Sequence, residues 1–223
     1  NGSFTLAGFY KQFYNYIQEG SFDVTRVNNG VTETVRVRRP FNGDGAAIYG
    51  AEASFQTFFD FLPAPFDGFG VQANYTYVKN DGIETIALTN ENAQGSSGGG
   101  IQYSTSAVRA NALEGVSEHS FNLVGMYEKG KLSARVAYNW RPKSLLTAID
   151  CCVGLPIWQD AAGYLDASVR FRATNNVEFV VEGTNLLGTT TVLKQQVNAA
   201  GLLKDNAWFK NDRRFQIGAR LTF

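Results

Sequence analysis

His119 is the only histidine of this 223-residue chain, and two serines, Ser117 and Ser120, lie close to it. A serine beside a histidine could provide the nucleophile and the base of a hydrolase. Adjacent residues of a strand point to opposite faces, however, so Ser120 cannot readily meet His119. The G-x-S-x-G turn of the α/β-hydrolases is also missing from the sequence. We therefore predict that the protein is not an enzyme.

The two cysteines, Cys151 and Cys152, are adjacent in sequence and cannot form a disulfide framework between distant segments. Together with Asp150 they offer two thiols and a carboxylate but no histidine, which falls short of a zinc ligand set. We predict no metal site and no cofactor. A strained vicinal disulfide is the favoured state of the pair, and two free thiols are the alternative.

Aromatic and charged residues are the other groups that could contact a ligand. Aromatic faces stack on sugar rings and on catechol groups, and three rings lie in polar segments: Trp158, Tyr103 and Trp208. Interface anchoring is favoured over ligand contact for Trp158, while Trp208 alternatively begins the aromatic girdle of the last strand. Eight charges within strands are expected to form a network of paired charges, with a substrate path as the alternative: Glu52, Arg135, Asp166, Arg170, Arg172, Glu178, Glu182 and Arg220.

The composition excludes several classes of protein. Twenty basic and twenty acidic residues give a formal net charge of +0, so no global field attracts nucleic acid. No window offers the roughly 18 consecutive apolar residues of a transmembrane helix, although strands that cross a membrane leave little hydropathy signal. The first residues, NGSFTLAGFY, contain neither a starting Met nor a signal peptide, which predicts a mature form or a fragment.

Strands must position these residues. In the final segment, RRFQIGARLTF, every second residue from Phe215 to Phe223 is apolar, as in a strand with one apolar and one polar face. The same alternation predicts eight strands, each near the roughly 9–11 residues that a tilted strand needs to cross a bilayer. They are Ser3–Ile17, Ala46–Phe58, Phe69–Lys79, His119–Glu128, Lys131–Arg141, Tyr164–Arg172, Val177–Thr184 and Arg213–Phe223.

Short turns and long polar loops alternate between these strands. The long loops are 18–45, 80–118, 142–163 and 186–212. This alternation places all turns at one end of the strands, as in outer-membrane barrels, whose short turns are periplasmic. An unpaired Arg on a lipid-facing surface costs roughly 2–4 kcal/mol at the midplane, and the charges here fall on the other face. The pattern favours a transmembrane antiparallel β-barrel over a soluble sandwich.

Several segments resemble the C-terminal barrel strands of TonB-dependent outer-membrane receptors. They are SEHSFNLVGMYEKGKLSARVAYNWRPKSLL, GYLDASVRFRATNNVEFVVEGTNLLG and the terminal RRFQIGARLTF, while RPFNGDGAAIYGAEASFQ looks like the strand after a large extracellular loop. The family ends in an aromatic residue that the barrel-assembly machinery is thought to read, and Phe223 matches it. The resemblance implies that residues 1–223 are about eight C-terminal strands of a 22-stranded plugged barrel.

The resemblance also implies a localisation, a function and partners. The localisation would be the outer membrane of a Gram-negative bacterium, where the barrel would contact outer-membrane lipids. The function would be TonB-dependent import of a scarce nutrient, with the TonB-ExbB-ExbD system acting on a plug that this chain lacks. The eight strand charges would face the lumen or contact that plug. Carbohydrate is favoured over a siderophore or a cobamide. A surface lipoprotein that caps the loops is a further partner that the resemblance leaves open.

Two other classes remain as alternatives. A stand-alone eight-stranded barrel with a structural or adhesive role would have to pair its first strand, Ser3–Ile17, with its last, Arg213–Phe223, and its lumen would be filled by side chains. A soluble β-sandwich lectin would be soluble without detergent.

Overall fold

The alternating segments form strands, and the strands account for nearly all regular structure in the chain. The computed structural model describes residues 2–15, 17–42, 45–81, 110, 112–150 and 155–223. In chain order these contain β1 (Gly2–Phe13), β2 (Ile17–Asn28), β3 (Val31–Asn42), β4 (Ala46–Phe58), β5 (Phe69–Asp81), β6 (His119–Lys129), β7 (Leu132–Arg141), β8 (Ser144–Thr147), β9 (Ile157–Gln159), β10 (Ala162–Arg172), β11 (Val177–Thr184), β12 (Thr190–Gln196), β13 (Leu203–Lys210) and β14 (Arg214–Leu221).

The eight predicted strands form one antiparallel sheet with the order β1-β4-β5-β6-β7-β10-β11-β14. The predicted bounds of β4 and β11 are confirmed, and most of the others differ by one or two residues. The first strand was predicted to reach Ile17, which is wrong. It ends at Phe13, two residues before Asn15 takes a positive φ of 56°. We call this sheet the wall sheet.

Three of the four long connections contain further strands, which the sequence did not predict. The first contains the twelve-residue strands β2 and β3, paired as a hairpin around Asn29 and Gly30, whose φ values are 50° and 81°. Two others contribute a four-stranded sheet with the order β13-β12-β9-β8, which we call the loop sheet. Its strands are three to eight residues long and β12–β13 is interrupted by a bulge, so no sustained alternation marks them in the sequence.

Strand register separates the two faces of the wall sheet. One row of directly paired residues can be followed through all eight strands: Gly2, Thr57, Val71, Gly125, Val136, Ala167, Gly183 and Phe215. Other rows of this face are also apolar, and large side chains such as Phe4, Phe171 and Ile217 are exposed on it. The opposite face is polar. A contiguous exposed apolar surface of this kind is typical of contact with lipid or another protein.

Short turns close one end of the wall sheet. A one-turn 3-10 helix, Phe66–Gly68, lies in the β4–β5 turn. Lys129 Nζ, at the end of β6, pairs with Asp67 Oδ1 of this turn, and Tyr127 donates a hydrogen bond to the carbonyl oxygen of Pro65 at 3.2 Å. The hydrogen bond from Lys129 holds the pKa of Asp67 below its ordinary value. These contacts connect two neighbouring turns.

The loop sheet has a small apolar core at the other end. Leu145, at 0% exposure, packs with Ala110 and Ala148, and Trp158 lies against this group. The segment that precedes β6 closes over it, since Gly115 donates a backbone hydrogen bond to Leu145 and Glu114 Oε1 accepts one from the amide of Ala148.

The wall sheet is open. β1 and β14 form its two edges, and within the described residues no pairing joins them. A self-contained eight-stranded barrel requires that pairing, so the described part of the chain does not form one. No helix among the described residues is long and apolar enough to span a membrane.

The face assignment predicts that position, not residue type, decides the effect of a new charge. Val136→Arg places a cation on the apolar face and should destabilise the folded protein by roughly 2–4 kcal/mol if that face contacts lipid. Ala137→Arg, on the polar face next to it, should be nearly neutral. Urea titration of the complete protein in lipid vesicles measures both; equal effects would contradict the face assignment.

The core of the loop sheet generates a second prediction. Leu145→Ala should cost about 2–5 kcal/mol of local stability, because it leaves a cavity at a fully buried position. Its neighbour Leu146 is 45% exposed, so Leu146→Ala is the matched control and should cost far less. Hydrogen exchange of the β9 and β12 amides reports the difference. Unchanged exchange in the Leu145 variant would show that this core does not hold the loop sheet.

Candidate functional site

All eight predicted charges lie on the polar face of the wall sheet. One row of directly paired residues contains Arg172, Glu178 and Arg220. Another row, four residues farther along β10, contains Arg135 and Glu182, which pair with Ser168 from its two sides. Arg170 lies between these rows. Register thus fixes all eight positions on one surface, and six of them gather towards the short turns. A shallow cavity of ≈ 400 Å³ lies there, lined by Glu128, Lys129, Gly130, Lys131, Leu132, Ser133, Arg170, Arg172 and Glu178.

The carboxylate of Asp166 forms a specific hydrogen bond with the backbone, unlike a charge that only lines the polar face. Its Oδ1 accepts a hydrogen bond from the backbone amide of Asn185 at 2.8 Å. Asn185 is 8% exposed with φ 51°, and its side chain donates to Asn211 O and accepts from the amide of Thr189. The carboxylate therefore fixes the turn from which β12 begins.

Two hydroxyl groups join the loop sheet to the wall sheet. Tyr164 of β10 and Thr191 of β12 share a hydrogen bond of 2.9 Å. Thr189 Oγ1 donates to the carbonyl oxygen of Gly163. With Asp166 and Asn185, these contacts fix the base of the loop sheet directly above the polar face of the wall.

The two tryptophans that were predicted to contact substrate lie in the loop sheet. Trp158 is in β9 and partly buried; its Nε1 donates to Gln196 Oε1 at 3.0 Å, and Lys143 Nζ lies 4.9 Å from the centroid of its ring. Trp208 is 61% exposed in β13. It is therefore not part of the last strand, which corrects the alternative that placed it there. A role in substrate contact stays a prediction for both.

Register places both tryptophans on one side of the loop sheet. Lys194 of β12 pairs with Trp158, and Val192, two residues away on the same strand, pairs with Trp208. Thr191 points to the other side, where it meets Tyr164. Tyr103, Cys151 and Cys152 lie outside the described residues, so their predicted roles stay predictions. In the described part of the chain, no group of three or more His, Cys, Asp or Glu residues could hold a metal ion.

An ion pair crosses the loop sheet next to Trp158. Lys194 Nζ lies 2.6 Å from Asp160 Oδ2. The hydrogen bond from Lys194 holds the pKa of Asp160 below its ordinary value, and the same bond raises the pKa of Lys194. The charge of Lys143 acts on Asp160 in the same direction. The charge of Asp205, which pairs with Lys194 across the sheet, also raises the pKa of Lys194. The surface around Asp160 therefore carries two lysines and two carboxylates.

A row of neutral polar residues was missed in the sequence. Thr5, Ser54, Asn74, Asn122, Asn139 and Tyr164 are paired in succession across six strands on the polar face. We call them the amide row, after the three asparagines at its centre. The alternation of each strand places its polar residue on this face, but only the register between strands brings the six into one line.

His119 lies on the opposite, apolar face. Its Nδ1 is 2.7 Å from Tyr75 OH, and its ring lies against Tyr75 and Tyr77. Ser120 pairs with Thr76 on the polar face, as the opposite-face argument requires. On the same apolar face, Trp140 stacks on Phe121 near the loop end. These rings form an aromatic group of the kind found at membrane interfaces.

Phe223 follows the end of β14 and is fully exposed. The residue before it is held in place, because the amide of Thr222 donates to Asn176 O at 3.0 Å. A role as assembly signal stays a prediction.

The ion pair predicts an acid-sensitive loop sheet. Because the pKa of Asp160 is depressed on folding, its contribution to stability is present above the ordinary aspartate pKa and is lost as the pH falls through the lowered value. The protection factors of the β9 and β12 amides, which compare each exchange rate with the unstructured rate at the same pH, should therefore fall on acidification. Asp160→Asn should remove this dependence and Asp212→Asn should retain it; the same acid response in both variants would assign the effect to another group.

Comparison with known proteins gives one family and a set of similar folds. The family described as "TonB dependent receptor-like, beta-barrel" matches residues 1–186. No curated protein sequence matches the chain.

Among solved structures, the ferric-catecholate import receptor Fiu of E. coli K12 is 18% identical with a TM-score of 0.55, over 99% of this chain and 25% of that one. The pyoverdine receptor FpvA of Pseudomonas aeruginosa PAO1 is 18% identical with a TM-score of 0.57, over 100% and 27%. The siderophore receptor PirA of Acinetobacter baumannii is 12% identical with a TM-score of 0.53, over 100% and 30%.

These likenesses show the fold, and the chain spans between a quarter and a third of each of these structures. The family consists of transport receptors of the Gram-negative outer membrane and is not an enzyme family. The match over 1–186, the two-faced antiparallel sheet and the alternation of short turns with long loops agree: this chain belongs to the TonB-dependent receptor family and forms part of its outer-membrane β-barrel.

Proposed function

We propose that this chain is the C-terminal section of the barrel of a receptor that imports a scarce nutrient across the outer membrane in a TonB-dependent way. The observation that carries the proposal is the family match over residues 1–186. The two faces of the wall sheet support it, since an apolar surface for lipid and a polar surface for a lumen are what a transport barrel needs.

The unpaired edges support the assignment to a larger barrel. Residues of β1 and β14 are exposed along nearly their whole length. Open sheet edges do not occur within lipid, because hydrocarbon offers no hydrogen-bonding partner for the backbone. Further strands on both edges would satisfy them and would close a plugged barrel of about 22 strands.

Energy for import would come from the TonB-ExbB-ExbD system acting on a plug within the closed barrel. This chain would supply wall, lumen lining and part of the loop vestibule. The barrel-assembly machinery would recognise Phe223, and a surface lipoprotein would bind to the loop sheet.

Carbohydrate is the leading substrate class. The ring of Trp208 is 61% exposed and can stack on a sugar, and receptors of the kind that the quoted segments resemble are often associated with carbohydrate uptake. A ferric siderophore is the second candidate. Fiu is a ferric-catecholate import receptor and FpvA is bound to pyoverdine in its solved structure.

Uptake by cells that express the complete receptor tests this function. Labelled maltohexaose, ⁵⁵Fe-ferrichrome and cyanocobalamin represent the three substrate classes. We expect uptake of one class that is lost when tonB is deleted and when the proton-motive force is dissipated, because energy must reach the plug. Uptake that persists without TonB, or an adhesive phenotype without uptake of any class, would contradict the proposal.

A further inference from the structure

The amide row is a feature of the lumen wall that the predicted charges and aromatic residues do not include. Resting on the proposed import function, we propose that it is a binding track for a neutral, polyhydroxylated substrate, that is, a carbohydrate. The substrate would pass along Asn74, Asn122 and Asn139 on its way from the loops into the lumen.

The side chains of Asn122 and Asn139 are exposed on the polar face. Within the residues that the structure describes, the side chains of Asn74, Asn122 and Asn139 form no hydrogen bond with another residue. Each amide offers two donors and an acceptor oxygen. A sugar hydroxyl both donates and accepts, so it can bind either end of an amide, whereas a group that only accepts uses half of the site.

The spacing of the row suits a chain of hydroxyl groups. Asn74 pairs with Asn122, and Asn122 pairs with Asn139, on adjacent strands. Neighbouring strands lie about 4.8 Å apart, so the three amides cover roughly 10 Å of wall. Ser54 and Thr5 extend the row by two further strands with hydroxyl groups.

Charge around the row disfavours an anionic ligand. The row contains no ionisable acid or base other than the phenol of Tyr164, and its nearest charged neighbours on the same face are Glu52, Asp166 and Arg141. Two acids and one base give no positive field. Arg141 is the arginine beside the row, whereas Arg135 and Arg170 lie towards the turns, four or more residues farther along their strands.

One end of the amide row lies where the loop sheet is attached to the wall sheet. Tyr164, its last member, pairs with Asn139 and shares its hydroxyl hydrogen bond with Thr191 of β12. A substrate that leaves the loop sheet would therefore meet the amides before it meets the charged rows.

The test compares two triple variants of the complete receptor in cells. Asn74→Leu, Asn122→Leu and Asn139→Leu together remove the amides. Ser133→Leu, Ser168→Leu and Gln216→Leu together are the control, because they replace neutral polar residues of the same face near the turns. Initial uptake of labelled maltohexaose and xylohexaose is measured, together with binding of both sugars to de-energised cells and with ⁵⁵Fe-ferrichrome uptake.

We expect uptake of at least one hexaose by the wild type and a roughly two- to tenfold loss for each amide removed. Binding to de-energised cells should be unchanged, because the loops bind first. A serine triple at the same three positions should recover most of the rate, which separates lost hydrogen bonds from a folding defect; heat-modifiable migration of each variant checks the fold.

Three results would overturn the track. These are an unchanged rate in the leucine triple, an equal loss in the control triple, and a wild type that carries neither hexaose. A wild type that imports only ferrichrome would reject the carbohydrate track while leaving the import function intact. TonB-independent uptake would instead reject the import function.

Discussion

Backbone hydrogen bonding is the constraint on which the wall sheet depends. Hydrocarbon offers no partner to an N–H or C=O group, so every strand that faces lipid must be paired on both sides. The antiparallel ladders from β1 to β14 satisfy this for the six inner strands. The two edge strands are satisfied on one side only. The sheet is therefore a section of a barrel wall, and its stability in lipid depends on strands added at β1 and β14.

Pairing also fixes which residues share a face. A shift of one residue between β10 and β11 would exchange Val169 and Arg170 and would place arginine against lipid. The same register divides the polar face into two zones. Neutral amides lie towards the loop sheet, and the arginine–glutamate rows lie towards the turns. Asp166 lies between the zones, but its carboxylate serves the turn at Asn185.

Alternation predicted the strands that cross the membrane and failed outside it. β4 and β11 were predicted at their observed bounds because lipid on one side and a polar lumen on the other enforce a period of two. β8, β9, β12 and β13 pack within the loops, where neither face must be uniformly apolar, so their sequences show no clean period. The β2–β3 hairpin did carry a signal, because Asn29-Gly30 is a typical two-residue hairpin turn.

The candidate site shows the same limit at the level of side chains. Parity along one strand predicts that Arg135 and Asn139 point into the lumen, because it needs only the strand's own sequence. It cannot predict that Asn139 lies beside Asn122, since that depends on register between strands that are joined through a turn. Nor can it predict that Lys143 and Gln196 contact Trp158, because these residues come from three separate segments. The charged residues in the sequence therefore predict the rows near the turns of the wall sheet. The amide row cannot be predicted in the same way, because it depends on the register between strands.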